Sequence, residues 1–132
     1  MEPISSIQAF RAVNFLAEWF ALKFGSESLL TLSGEMEPCS GHPSGDPALP
    51  YVWNELWGAL IVHTPDEAAS IASTFLEQEG DWGNDDGHRR LATALKRGSN
   101  DGDQEVWLAW RWCLDKARQY ANPGAWSFAS QK

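Results

Sequence analysis

Three short stretches of this sequence hold residue types that could do chemistry, but none has the spacing that a reaction or a metal ion requires. Cys39 and His42 form the only close cysteine–histidine pair, and a zinc site needs further ligands at matching spacing. The segment 40–46 combines a serine, a histidine and an aspartate, whereas a catalytic triad assembles across a fold rather than along one loop. The acids and glycines of 81–87 depart from the EF-hand pattern. The sequence therefore predicts no catalytic residue, no metal site and no cofactor.

Eight tryptophans in 132 residues are the feature that points to binding instead. Tryptophan has a large apolar surface and one N–H donor, so it favours cores, pockets and interfaces. Most of the eight fall on the apolar stripes of predicted helices. One of them, Trp112, falls on the opposite side of its helix and is therefore a candidate contact residue.

The helix predicted from about Asp103 to Tyr120 carries this candidate. Leu108 and Trp112 lie four positions apart, so they touch each other on the helix surface. Charged residues surround them, which matches a binding anchor with a polar rim. Alternatively, the loop 37–50 or the tail that contains Trp126 covers them. The opposite, core face of this helix is predicted to comprise Val106, Trp110, Cys113, Ala117 and Tyr120, with Trp107 and Leu114 at its flank.

The charge distribution adds a second candidate region. The formal net charge is −8, which disfavours direct binding to nucleic acid or to an anionic membrane and suits a basic protein partner. A cluster of acids precedes the basic residues of 88–97. The predicted contact residues of this acidic block are Glu77, Glu79, Asp81, Trp82, Asp85 and Asp86.

The elements that must position these residues are helical. Periodic apolar spacing, caps and breakers predict an all-α single domain over 1–132 with about five helices. They are 6–24, one that begins near Pro50 and has Leu60 on its apolar face, 65–78, 88–97, and one capped by Asp101 or Asp103 that runs to about Tyr120. Short strands remain an alternative near 29–35 and 58–63. Proline and glycine make 37–50 a long loop, and 121–132 is predicted to be a loose tail.

The first helix has apolar residues on two sides. One broad stripe includes Phe10, Val13 and Phe20, and a second stripe on nearly the opposite side consists of Phe15, Trp19 and Leu22. A helix of this kind either lies at the centre of a bundle or has an interface on its second side. We expect the central position.

These features together predict a small, acidic, cytoplasmic protein-binding module. Two cysteines without a disulfide framework, no signal-peptide pattern and no membrane-length apolar run indicate the compartment. The property set is typical of inhibitors such as bacterial toxin-immunity proteins and phage-encoded nuclease inhibitors, so a basic nuclease or nucleic-acid-binding effector is the expected partner. The alternatives are an enzyme or small-ligand binder with a tryptophan-lined pocket, and a homodimeric scaffold subunit.

Overall fold

The computed structural model describes residues 3–38, 42, 44–80, 86–96 and 103–120. It confirms the all-α fold: these residues form six helices and one two-stranded antiparallel sheet. None of the helices within the described ranges has an apolar stretch long enough to cross a bilayer. In chain order the elements are β1 (Ile4–Ser5), α1 (Ser6–Phe24), α2 (Glu27–Met36), α3 (Ala48–Trp57), β2 (Val62–His63), α4 (Pro65–Gly80), α5 (Gly87–Lys96) and α6 (Gln104–Tyr120).

The first helix has the predicted bounds because its two ends have strong local signals. The Ser5 hydroxyl accepts a hydrogen bond from the Gln8 backbone N–H at 3.3 Å, and the Gln8 side chain accepts one from the Ser5 N–H at 3.2 Å. This reciprocal pair is a capping box, which satisfies two otherwise unpaired donors. At the other end Gly25 has φ 72°, a left-handed conformation that favours glycine.

The helix α1 packs against each of the other five described helices, as expected for a central position. Its second stripe is not fully covered, however, because Leu22 is exposed and Phe15 and Trp19 are only half-buried. Part of its polar strip is buried against α2. The Arg11 guanidinium donates to the Met36 carbonyl at 2.7 Å, and the Ser33 hydroxyl donates to the Asn14 carbonyl at 3.2 Å. These bonds offset the cost of burying Arg11 and Asn14, whereas Glu18 on the same strip is exposed.

The two regions left open between helix and strand have different outcomes. Residues 29–35 form no strand: they lie within α2, which Ser26 caps by accepting from the Leu29 N–H at 3.3 Å. The helix is favoured over a strand because helical spacing buries Leu29, Leu32 and Met36 together. Residues 58–63 do include a strand, β2, whose His63 pairs with Ile4 of β1.

The core contains a group of aromatic rings around Trp53. Its ring centroid lies 5.9 Å from that of Phe10, 5.3 Å from that of Phe75 and 5.8 Å from that of Trp57. Its indole N–H donates to the Ser6 carbonyl at 3.1 Å. One side chain thus joins α1, α3 and α4, with edge-on ring packing and a satisfied donor.

The start of α4 also follows the sequence prediction. The Glu67 carboxylate accepts from the Thr64 N–H at 2.9 Å, and the Thr64 hydroxyl accepts from the Glu67 N–H at 3.2 Å. The hydrogen bond from the Thr64 backbone, with that from His63 next, lowers the pKa of Glu67 below its ordinary value. The ionised carboxylate is therefore the form that stabilises this helix end.

We expect the stability difference between wild type and Glu67→Gln to depend on pH. A carboxylate with a depressed pKa stabilises the fold above its unfolded-state value, and this contribution is lost as pH falls through the folded value. Urea unfolding at about pH 7 and about pH 3 measures both proteins. Wild type should be the more stable at neutral pH, and the difference should shrink in acid. A difference that stays constant or grows in acid would contradict the capping box.

Cys113 is buried on the core face of α6, and this burial raises the pKa of its thiol to about 12. A thiolate is the reactive form, so the folded protein should protect this cysteine from alkylation at neutral pH. In a Cys39→Ser background, iodoacetamide should label Cys113 only after unfolding. Rapid labelling of the folded chain would show that the face is open to solvent.

Candidate protein-binding surface

The exposed pair Leu108 and Trp112 lies on a helix that is fixed from its other side. The Asp103 carboxylate caps α6 by accepting from the Glu105 and Val106 N–H groups at 2.9 and 3.3 Å. Val106, Trp110, Cys113 and Ala117 are buried, as the sequence predicts. The Trp110 indole N–H donates to the Pro65 carbonyl at 3.3 Å, which ties α6 to the start of α4.

The two candidate side chains point into solvent. Leu108 is 67 % exposed and Trp112 is 55 % exposed. Large apolar side chains cost free energy in water, at about 25 cal/mol per Å² of apolar surface. An exposed tryptophan beside an exposed leucine therefore indicates a contact surface more strongly than a single exposed apolar side chain does.

Trp112 contacts Lys116 of its own helix, and this lysine also contacts α1. The Lys116 ammonium lies 5.0 Å from the centroid of the Trp112 ring and 4.4 Å from that of Phe15 on α1. Both distances are within the range of a cation–π interaction. Lys116 therefore links the two rings across the α1–α6 boundary and limits the positions that the indole can take.

The second apolar stripe of α1 adjoins this pair. Lys23 forms an ion pair with Glu105 and lies 5.5 Å from the centroid of the Trp19 ring. Together with the contact between Phe15 and Lys116, this pairing shows that α1 and α6 run antiparallel, so the stripe lies along the same edge. Phe15 and Trp19 are half-buried, whereas Leu22 is 70 % exposed. We call this surface the α1–α6 face; it comprises Phe15, Trp19, Leu22, Leu108 and Trp112.

The rim of the α1–α6 face carries charges of both signs. Arg111, Asp115 and Lys116 are exposed on α6, and Arg118 donates to the Asp115 carboxylate at 3.1 Å. Exposed pairs of this kind contribute little to stability. The rim is polar but not acidic, so the negative charge of the protein has to be presented elsewhere.

The predicted acidic block is described only in part. Glu77 and Asp86 are exposed and Glu79 is half-buried, while Asp81, Trp82 and Asp85 lie outside the described residues. Glu77 and Glu79 belong to the last turn of α4, about 20 Å along this helix from the contact between Pro65 and Trp110. Glu77 and Glu79 therefore lie well away from the point where α6 meets α4, whereas Asp86 lines a cleft together with Asp103 at the start of α6.

Glu79 has two acidic neighbours that the sequence did not reveal. Burial raises the pKa of its carboxyl above the ordinary value, and the charges of Asp46 and Glu35 raise it further. The loop that carries Asp46 is pinned to α2, because its N–H donates to the Glu35 carbonyl at 2.9 Å and the Ser44 hydroxyl donates to the same oxygen at 2.6 Å. Three elements thus bring three carboxylates close together.

Two other features of the described residues bear on chemistry. A surface cleft of ≈ 410 Å³ lies between α5 and the start of α6, and its lining includes no tryptophan. No group of three or more potential ligand side chains in the described ranges could hold a metal ion. The cleft is lined by Asp86, Arg89, Arg90, Thr93, Ala94 and Asp103.

No protein-family model, curated protein or solved structure matches this chain.

The sequence analysis identified neither Lys116 nor Phe15 as a neighbour of Trp112, and only Lys116 has a signal in the sequence. Lys116 follows Trp112 by four positions, so helical spacing alone could have placed it over the ring. Phe15 lies almost a hundred residues earlier and reaches Lys116 only because α1 and α6 pack side by side. Leu108 and Trp112 themselves were found because they interrupt the polar side of an otherwise regular pattern.

Proposed function

We propose that this chain is a small acidic protein-binding module that uses its α1–α6 face as the contact surface. The observation that carries the proposal is the exposure of Leu108 and Trp112 on a helix whose opposite side is buried. Tryptophan is enriched among the residues that dominate binding energy, and such residues are commonly surrounded by a polar rim. The rim of the α1–α6 face has that composition.

The arrangement also lowers the cost of binding. Association orders side chains, and each flexible side chain that is immobilised costs about 0.5–1.5 kcal/mol. The Trp112 ring already packs against Lys116, which in turn contacts Phe15. A partner would therefore meet an indole with one packing contact already formed, and less ordering would remain at this side chain.

The net charge of −8 favours a basic partner. We propose inhibition as the biological role, in the manner of toxin-immunity proteins or phage-encoded nuclease inhibitors, with a nuclease or another nucleic-acid-binding effector as the target. Such a target has a positively charged groove for phosphates, and an acidic protein can occupy it. The proposal of an inhibitory role is supported by the acidic net charge of the protein, its small size and the exposed α1–α6 face.

Affinity capture from the source cells tests the proposal. The baits are wild type, Leu108→Ser/Trp112→Ala, and Leu30→Ser as a matched control, because Leu30 is also exposed but lies on α2. We expect a basic protein to be captured by wild type and by Leu30→Ser and to be lost with the double variant. If all three baits capture the same proteins, the α1–α6 face is not the contact surface.

Size-exclusion chromatography with light scattering separates this proposal from self-association. The binding module should elute as a monomer at micromolar concentration. A dimer that dissociates on Trp112→Ala substitution would instead assign the α1–α6 face to a homodimer interface.

The association rate with the captured basic protein should fall as salt rises. Opposite charges steer an encounter over a screening length of about 8–10 Å at physiological ionic strength, and added salt shortens this length. Stopped-flow fluorescence at low and high salt measures the rate. A rate that does not change with salt would exclude recognition by charge, while leaving the apolar contact of Trp112 to be tested separately.

A further inference from the structure

The negative charge of this protein is concentrated in one continuous part of the chain. Residues 24–88 contain twelve aspartates and glutamates and no lysine or arginine. All ten basic residues, with the remaining six acids, lie before or after this segment. The segment includes α2, α3, β2 and α4. The helices α2, α3 and α4 therefore carry acids that no lysine or arginine on the same helices offsets, whereas α6 carries both signs of charge.

Within this acidic part, a group of apolar side chains is exposed where α3 ends. Ile61 is 85 % exposed, Leu60 is 59 % exposed and Val62 is 44 % exposed. We call this surface the α3–β2 patch; it comprises Leu60, Ile61 and Val62.

The loop that carries the patch is fixed at both ends. Gly58 ends α3 with φ 81°, and its N–H donates to the Asn54 carbonyl at 3.2 Å. At the other end His63 pairs with Ile4 of β1, and its Nε2–H donates to the Trp57 carbonyl at 3.0 Å. The apolar side chains are therefore presented on an anchored loop, which reduces the entropy lost when a partner binds.

Carboxylates precede and follow the α3–β2 patch along the chain. Glu55 on α3 and Asp66 and Glu67 in the first turn of α4 are exposed. The described residues of α3, β2 and α4 include no lysine and no arginine, and their acidic side chains are carboxylates and the Tyr51 phenol. This differs from the α1–α6 face, whose rim has both signs.

We propose that the α3–β2 patch docks a basic amphipathic segment of a partner protein, with apolar side chains that contact Leu60 and Ile61 and with lysines or arginines that meet the carboxylates of α3 and α4. The inference rests on the proposed protein-binding function and gives it a second contact surface with a stated chemistry. Complementary charge arranged around an apolar centre provides both register and steering.

The charge around the α3–β2 patch favours a basic protein segment over a second copy of the chain and over an anionic lipid surface. A second copy of the chain that docked through the same patch would place carboxylates opposite carboxylates, and like charges across an interface are costly. An anionic lipid surface would be repelled for the same reason. A basic protein segment meets no such repulsion.

Fluorescence anisotropy with a labelled peptide tests the inference on the full chain. The probe is an amphipathic helical peptide of leucine and lysine, about 14 residues long. A peptide of the same charge with serine in place of leucine, and a leucine–glutamate peptide, serve as probe controls. We expect the leucine–lysine peptide to bind best, and the Leu60→Ser/Ile61→Ser variant to weaken its binding at least about tenfold. Leu30→Ser, outside the patch, should leave that binding unchanged.

Charge reversal provides an independent arm. Glu55→Lys should weaken peptide binding more than Glu27→Lys, which changes the net charge equally but lies on α2. The inference is overturned if no peptide binds, if the serine–lysine peptide binds as well as the leucine–lysine peptide, or if the patch variants have no effect. If Trp112→Ala alone abolishes binding, the inference fails while the proposed function of the α1–α6 face stands.

Discussion

Replacing Trp53 with alanine is expected to lower the free energy of unfolding by about 3–5 kcal/mol, the largest stability effect in this protein. The side chain is fully buried and joins α1, α3 and α4 through ring contacts with Phe10 and Phe75. Its removal leaves a cavity, and it also deprives the Ser6 carbonyl of a donor. Urea unfolding monitored by circular dichroism measures the effect.

Trp112→Ala is the matched control for this experiment, because it removes the same side chain from an exposed position. Its effect on the free energy of unfolding should stay below about 0.5 kcal/mol, as for most surface substitutions. A loss at Trp112 as large as that at Trp53 would mean that the α1–α6 face is part of the folded core, which would remove the basis of the proposed function.

The same Trp112→Ala substitution is expected to weaken binding to the captured basic partner by about 2 kcal/mol or more, which is roughly 30-fold in Kd. The indole would be buried in the complex, and Lys116 would lose one of the two rings that it contacts. Isothermal titration calorimetry measures the affinity of wild type, Trp112→Ala and Leu30→Ser.

A chain that ends at Tyr120 tests the alternative that the tail covers Leu108 and Trp112. Its affinity for the partner should equal that of the full chain if the face is free in the unbound protein. A clear gain in affinity on truncation would show that the tail competes for the face.

For the Trp112→Ala variant, a Kd equal to that of wild type would place the contact elsewhere.

Local signals account for the parts of the fold that the sequence predicted well. Ser5 with Gln8 and Thr64 with Glu67 are capping boxes that specify the starts of α1 and α4. On α6 the alternation of buried and exposed positions follows helical spacing, so Trp110 and Trp112 could be assigned to opposite sides. These features depend on residues only three or four positions apart.

The parts that the sequence left open depend on tertiary packing. The run of leucines in α2 has no preference between helix and strand until α1 provides a surface for Leu29 and Leu32. Leu60 shares the spacing of the buried face of α3, yet the helix ends at Trp57 and Leu60 is exposed. The burial of Arg11 likewise depends on α2, whose Met36 carbonyl accepts its hydrogen bond.

In the candidate surfaces too, local spacing predicted some residues, and tertiary packing determines the others. Helical spacing identified Leu108 and Trp112, since a misplaced apolar pair is visible within one helix. The neighbours Phe15 and Lys116 on the α1–α6 face, and the approach of Asp46 and Glu35 to Glu79, come from elements far apart in the chain. Contacts of that kind have no signal in a single sequence.

Hydroxyl-radical footprinting of the free chain and of its complex with the captured partner tests the central claim most directly. Oxidation of Trp112 and Leu108, read by mass spectrometry, reports their exposure in each state. The account predicts rapid oxidation of both side chains in the free protein and strong protection in the complex, with the buried Trp53 and Trp110 slow in both states as internal references. Oxidation of Trp112 at the same rate in the free chain and in the complex would contradict the account.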